Sequence, residues 1–326
     1  MPPLISLVTP TLNAARFISE TLRSVSEQDY PHLEHIIVDG QSTDDTLALV
    51  GKEGKRVSEI LCGKDSGTSE AINKGFERSQ GEYLWVLNAD DALAHQATLS
   101  VLVRHLEDNP ECDFAFGDMR MIDEIGRTIG ARTFSPAYGQ LELLSDRRHL
   151  PFAGCLMRRR VLERIGGFST SYKYSNDLDF LLRLTQHGRI QHAGGQTGVF
   201  RLHAAASTSA NIMATGQETQ AICQAFLKQP GIPKEVQEKA RAIQASLHVH
   251  AAGVSFHAGV AADVRRNLKS ALAYDFRALI QLNPWIYLAG SLAGTRGMAV
   301  LAHWCRAMVH KRFLYSLNNF RPWMVA

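Results

Sequence analysis

Residues 83–93 read YLWVLNADDAL. Tyr83, Leu84, Trp85 and Val86 have the composition of a buried strand, yet Asn88, Asp90 and Asp91 follow almost at once. Buried carboxylates cost free energy unless they are paired or coordinated, so acids at the end of a core strand imply a use. Hard carboxylate oxygens can hold a divalent cation, and the cation can hold phosphate oxygens. Carboxylates can also act as a general acid and base. Asp90 and Asp91 are adjacent, so their side chains diverge. That suits one metal ligand plus a second role better than a matched acid/base pair.

Three other apolar runs end in polar residues. Thr9 and Thr11 follow the first, Asp39 ends the second and Asp65 follows the third. Between these runs lie segments with helical spacing. NAARFISETLRSVSEQ places Phe17, Ile18, Leu22 and Val25 on one stripe, with Asn13 as its expected N-cap. STDDTLALVGK follows the second run, with Asp44 and Asp45 read as capping residues, and TSEAINKGFERS follows the third. HQATLSVLVRHLEDN follows the fourth and leads to a fifth apolar run, CDFAFGD. Alternation at this pace predicts a parallel sheet covered by helices on both faces. Ligands of such sheets bind outside the carboxyl ends of the strands, where all four polar clusters fall.

Residues 119–210 are less regular. GCLMRRRVLERIGGF predicts a strand entering a basic helix, SNDLDFLLRLTQHG a second helix, and GVFRLHAAASTS a strand leading into a polar loop. Neither a GxxxxGK[ST] loop nor a GxGxxG turn after the first strand is present, which excludes P-loop and dinucleotide-binding readings. A nucleotide bound here would be held through a metal and side chains.

The composition sets further bounds. The 326 residues are 45% hydrophobic and 21% charged, as in an ordinary folded protein. Five scattered cysteines show neither zinc-site nor redox-pair spacing and read as reduced. The segment MPPLISLVTP lacks the features of a signal peptide, which predicts a cytoplasmic protein. Charge is uneven: residues 1–216 hold 22 Lys+Arg against 27 Asp+Glu, and residues 217–326 hold 13 against 5. The basic, largely helical last third suggests contact with an anionic membrane surface, peripheral on the inner face of the cytoplasmic membrane. Arg296 and the nearby glycines argue against a spanning helix there, and a lid packed on the first domain is the competing reading. No nucleic-acid-binding module is present.

In order along residues 4–209, these stretches resemble the inverting family 2 glycosyltransferases of bacterial surface-polysaccharide synthesis. SLVTPTLNAARFISETLRSV resembles the family's opening strand and helix, and HIIVDGQSTDDT its Asp-Gly-x-Ser-Thr-Asp signature. KDSGTSEAINKGFERSQGEYLWVLNADD resembles its Asp-x-Gly, Asn-x-Gly and Asp-x-Asp regions in succession. RRVLERIGGF, NDLDFLLRL and FRLHAAASTS resemble the acceptor-side motifs.

The resemblance implies a GT-A fold: a Rossmann-like mixed sheet flanked by helices, in a catalytic domain of residues 1–216, with a helical extension over 217–326. It implies a metal-dependent enzyme moving a sugar from a nucleotide-diphospho-sugar, most simply a UDP-sugar, to a glycan or polyprenyl-linked acceptor. Thr9, Pro10 and Thr11 would border base and ribose, Asp39 would accept from a base N–H, and Asp65 would lie beside them. Asn88 and Ala89 would meet the ribose side, Asp90 and His203 would hold Mg²⁺ or Mn²⁺, and Asp91 and Arg201 would attend the donor. Asp177 would be the catalytic base. Two positions depart from the family pattern: Asn88 stands for its first acid, and Asn176 for the Glu before the base. A catalytically silent binding protein on this fold, or a sugar-nucleotidyltransferase, are the alternatives; the latter lacks its Gly-rich loop.

Overall fold

The structure, a computed structural model, describes residues 2–136, 138–145, 150, 152–280, 282–294 and 298. It divides into two compact units, Met1–Gly139 with His149–His203, and Gln140–Arg148 with Ala204–Ala326. The strands are β1 (Ile5–Thr11), β2 (Leu33–Asp39), β3 (Val57–Cys62), β4 (Tyr83–Val86), β5 (Ala92–Leu93), β6 (Phe114–Ile122), β7 (Thr128–Arg132), β8 (Cys155–Arg158) and β9 (Ile190–Arg201). The helices are α1 (Ile18–Ser26), α2 (Thr46–Glu53), α3 (Thr68–Arg78), α4 (Thr98–Asp108), α5 (Gln140–Ser145), α6 (Arg160–Ile165), α7 (Asn176–His187), α8 (Ser207–Ala210), α9 (Ile212–Phe226), α10 (Lys234–His257), α11 (Ala261–Tyr274) and α12 (Leu282–Leu292).

One mixed sheet organises the first unit, in the order β3-β2-β1-β4-β8-β6-β9-β5, with β7 paired to β6. β1 runs parallel to β2 and β4, and β2 parallel to β3. The wholly parallel sheet expected from the alternation stops there. β8 inserts antiparallel between β4 and β6. Its four residues are buried or half-buried and have no polar alternation, so nothing local announces their direction.

Strand periodicity assigns the faces. β1 and β2 pair Leu7 with His35, Thr9 with Ile37 and Thr11 with Asp39. Ile37 packs with Ile18 and Leu22 of α1 and Val50 of α2, so these helices cover that face. The opposite face carries Val8 and Val38, on which α3 sits so closely that a Cβ at Gly75 would lie 2.4 Å from Val8 Cγ1. Pro10 stands in a central strand without harm. β4 pairs with β1 only as far as Val8, and the chain leaves it after Leu87 donates to the Val8 carbonyl. At Pro10 no partner on that side needs an N–H. The same divergence opens the carboxyl edge of the sheet beside Asp39.

Asn13 does not cap α1. The helix begins five residues later, and Asn13 adopts φ 50° and accepts from Thr43 N–H, joining two loops. The domain junction expected after residue 216 falls inside α9, a continuous helix, and by packing the first unit ends at His203. α5 belongs with the second unit because it packs on α10. Pro284 does not break α12: it lies in the first turn, where no helical N–H is lost. The second unit's core joins Ala252 and Phe256 of α10, Val264 and Leu268 of α11, and Met298.

Buried His35 gives the sheet a pH signature. It is 1% exposed, and its Nε2 lies 2.9 Å from the Thr9 hydroxyl. Burial pushes its imidazole down to about 3. In the unfolded chain histidine titrates near about 6.5, so between these values the unfolded state holds the extra proton and stability falls as pH falls. Urea unfolding from about pH 6.5 down to about pH 4 should show a loss of up to about 1.4 kcal/mol per pH unit from this residue. A His35→Gln variant should lack that component.

Candidate active site

The carboxyl edge of β1, β2 and β3 holds a saturated carboxylate. Asp39 is fully buried at the end of β2. Its Oδ2 accepts from Thr11 Oγ1 at 3.0 Å and Ser42 Oγ at 2.6 Å, and its Oδ1 from Ser42 N at 2.8 Å. The Cys62 thiol approaches Oδ1 at 3.6 Å. A carboxylate has about four acceptor positions, so all are engaged. Asp65 lies alongside. Its Oδ1 accepts from Gly67 N–H at 3.0 Å, and Gly67, at φ 139°, makes the turn into α3. A Cβ at Gly40 would lie 3.0 Å from Asp65 Oδ2 and 3.6 Å from the exposed Leu12 side chain. Gly40, Asp65 and Leu12 therefore stand close together beside the end of β2.

The loop after β4 is held from beneath by one stripe of α1. Thr21 Oγ1 donates to the Ala89 carbonyl at 3.0 Å and the Asp91 carbonyl at 2.7 Å. Ser24 Oγ accepts from Leu93 N at 3.2 Å, and Gln28 Nε2 donates to the His95 carbonyl at 2.8 Å. Thr21 and Ser24, three apart, share a face of α1, and Gln28 follows two residues past the helix's end, so the three act as one clamp.

β9 then joins the loop. Arg201 N–H donates to Asp91 Oδ1 at 3.1 Å, and Asn88 Nδ2 to Asp91 Oδ2 at 3.3 Å. Burial, reinforced by the Asp90 charge, pushes the Asp91 carboxyl well above the usual carboxylate range, against these two hydrogen bonds. The Arg201 guanidinium donates to the Asp90 carbonyl at 3.0 Å, the Asp123 carbonyl at 3.2 Å and the Glu20 carboxylate. It also lies 5.0 Å from the Phe17 ring centre. Two residues on, His203 Nε2 meets Asp90 Oδ2 at 2.9 Å, and its ring packs on Phe17 with centres 4.6 Å apart.

Asp177 stands in the first turn of α7, half-buried. The adjacent Asn176 donates to Ser69 Oγ at 2.8 Å, tying α7 to the first turn of α3, which follows Asp65. Asn176 thus takes a structural part where the family pattern has an acid.

Several expected residues lie deeper than a ligand reaches. Thr9 is 0% exposed, two residues below the strand end and bonded to His35. Arg201 and Asp91 are 3% and 2% exposed, so both fasten the loop rather than face the open edge. Ala89 contributes a buried carbonyl to the α1 clamp. Pro10 and Asn88 are half-buried at the edge. Arg158, Arg159 and Arg160 are committed elsewhere, to carbonyls such as Cys112 and Gly81 and to the Asp113 carboxylate. The sequence pattern does not single out Phe17, Glu20 and Thr21 as site residues. The available signal is Thr21, a hydroxyl in the apolar stripe of α1.

Residues 6–166 match the model of glycosyl transferase family 2. That stretch carries a family 2 glycosyltransferase domain. The glycosyltransferase is 29% identical over 184 residues to the PGL/p-HBAD biosynthesis glycosyltransferase of Mycobacterium tuberculosis, covering 56% of this chain and 69% of that one. Its fold is similar to S. aureus TarS 1–349 in complex with UDP-GlcNAc, with TM-score 0.58 and 16% identity over 95% of this chain and 89% of that one. It is also similar to the mannosyltransferase PcManGT from Pyrobaculum calidifontis in complex with GDP-Man and Mn²⁺, with TM-score 0.59 and 19% identity over 97% and 88% of the two chains. The mixed sheet flanked by helices is thus the GT-A arrangement.

The Arg201 linkage is open to test by stability. Arg201→Met keeps an apolar stem beside Phe17 but leaves the Asp90 and Asp123 carbonyls without their donor. Urea unfolding should show a loss of about 1–3 kcal/mol. Arg201→Lys should recover little of it, because one ammonium cannot reproduce the planar fork.

Proposed function

We propose that this glycosyltransferase moves a sugar, with inversion, from a UDP-sugar to a hydroxyl of a glycan or polyprenyl-linked acceptor in cell-surface polysaccharide synthesis, at the inner face of the cytoplasmic membrane. The observation that carries the reading is the meeting of Asp90 and His203 across 2.9 Å at the end of β4. Support for the donor comes from the similar fold of TarS 1–349, which is in complex with UDP-GlcNAc.

A pyrimidine base would lie beside Asp65 and Leu12 at the end of β2. Asp39 is 0% exposed, so its contact with the base N–H would require the exposed Cys62 thiol, its weakest donor, to move aside. Thr11 and Ser42 keep its carboxylate in position. Asn88 offers an amide oxygen to the ribose.

The residues present fit Mg²⁺ or Mn²⁺. Asp90 and His203 offer two ligands, a carboxylate oxygen and an imidazole nitrogen facing each other, and among the described residues no third His, Cys, Asp or Glu joins them. Asp90 and His203 would hold the ion, leaving other positions for diphosphate oxygens. When bound, the ion supplies neutralisation of charge on the departing nucleoside diphosphate. Among the described residues the buried His203 Nδ1 has no hydrogen-bond partner, and the ring packs on Phe17. Asp177 would take the proton from the acceptor hydroxyl as it attacks. Single displacement inverts the anomeric carbon and requires no enzyme nucleophile.

UDP with Mn²⁺ should raise the melting temperature, with stabilisation of about 2.7 kcal/mol when ligand stands at a hundred times its Kd. Asp90→Ala should remove the Mn²⁺-dependent part of the shift. Absence of a shift with UDP, GDP and every other nucleoside diphosphate would sink the donor site. Asp177→Asn should abolish transfer in a donor screen while the UDP–Mn²⁺ shift stays at its wild-type size. Full activity in that variant would remove Asp177 as the base.

A further inference from the structure

α12 is apolar on both sides. Its sequence, LNPWIYLAGSL, contains no charged residue. Ile286, Tyr287 and Leu288 pack against the core of the second unit. Trp285, Ala289, Leu292 and Ala293 are exposed. Their spacing of four, three and one residues places them on one stripe. Trp285 is 54% exposed and Leu292 71% exposed. The turn before the helix adds Phe276 at 65% and Ile280 at 68%. Isolated exposed apolar residues are common, but a whole helix stripe of them marks an interaction surface.

The charges around this face indicate what covers it. Arg265, Arg266, Lys269 and Arg277 are exposed on α11 and the turn that follows it. Arg265 reaches the Ser291 carbonyl at 2.8 Å, which puts a cation beside the end of α12. The acids of this stretch, Asp263 and Asp275, are paired with Arg266 and Arg277. From Phe276 to the last residue the sequence has six basic residues and no acidic one. A second copy meeting this face across a two-fold axis would bring like charges together. A cover made from residues 295–326 would add five more cations. An anionic surface complements the face. At eleven residues, α12 is about 16 Å long, short of the roughly 30 Å hydrocarbon core. Among the described residues no helix is long and apolar enough to cross a membrane.

We propose that the outward face of α12, with Phe276 and Ile280, docks on an anionic lipid bilayer and lies in the headgroup plane, with Trp285 as an interfacial anchor and the α11 cations over the headgroups. The proposal rests on this face, so its failure would remove the membrane placement while leaving the donor-site reading, tested by the UDP–Mn²⁺ shift, intact. It deepens that reading by bringing the enzyme to a surface where lipid-linked acceptors reside.

The full-length protein should sediment with vesicles of phosphatidylcholine containing phosphatidylglycerol, more weakly with phosphatidylcholine alone, and progressively less as salt rises. Trp285→Ser with Leu292→Ser should weaken binding about tenfold or more, from the lost apolar burial. Lys269→Glu, at an exposed position, should weaken binding only to the anionic vesicles, and it tests the charge separately should the double variant unfold. UDP–Mn²⁺ shifts should be the same in all forms. No binding to either vesicle, or binding unchanged in both variants, would overturn the proposal. So would a dimer in analytical ultracentrifugation that the double variant dissolves, because the face would then belong to a second copy.

Discussion

The buried carboxyl of Asp91 links the end of β4 to the end of β9. Those ends are 110 residues apart in sequence, and the Arg201 N–H to Asp91 hydrogen bond joins them. Burial makes this acid costly as an anion and pushes its carboxyl well above the usual range. Its retention follows from what it holds. With Asp91 seated, Arg201 comes over Phe17 and donates to the Asp90 carbonyl, and His203 arrives at the Asp90 side chain. The outward acid depends on the inward one for its position.

The surrounding elements make that arrangement rigid. The α1 clamp supplies donors and acceptors to a loop that has left the sheet and would otherwise bury unsatisfied carbonyls. Each such hydrogen bond contributes only about 0.5–1.5 kcal/mol net, but leaving a buried group unmatched costs more. Pro10 and the shortness of β4 let the strands diverge at the same level. The edge is therefore open to a ligand while the residues beneath it are fully bonded. Asp39, with four donors around it, belongs to the same pattern: acids at this edge are held before anything binds.

The second unit follows a different logic. Its helices bury an ordinary apolar core, yet α12 carries apolar residues outward as well. The joint excess of cations and apolar side chains is physically coherent at a lipid headgroup layer, where each kind of residue meets its complement.

Much of this is legible in the amino-acid sequence. Strand–helix alternation, polar residues at successive strand ends and the ordered motifs are enough to indicate the fold class and the family, because these signals are local. The residues after Phe276 are basic without acids, and periodicity outlines most helices of the second unit. Trp304 and Trp323 lie outside the described residues. Tertiary structure decides the rest. β8 runs antiparallel because of where the chain returns, and no residue in CLMR encodes that direction. Thr9 is inside and Thr11 at the edge because strand length relative to the helices above sets depth. Asp90 and Asp91 are adjacent acids of identical type, and the sequence alone does not say which faces out. The fold assigns them opposite parts, since only one can meet Arg201 N–H from β9 while the other meets His203.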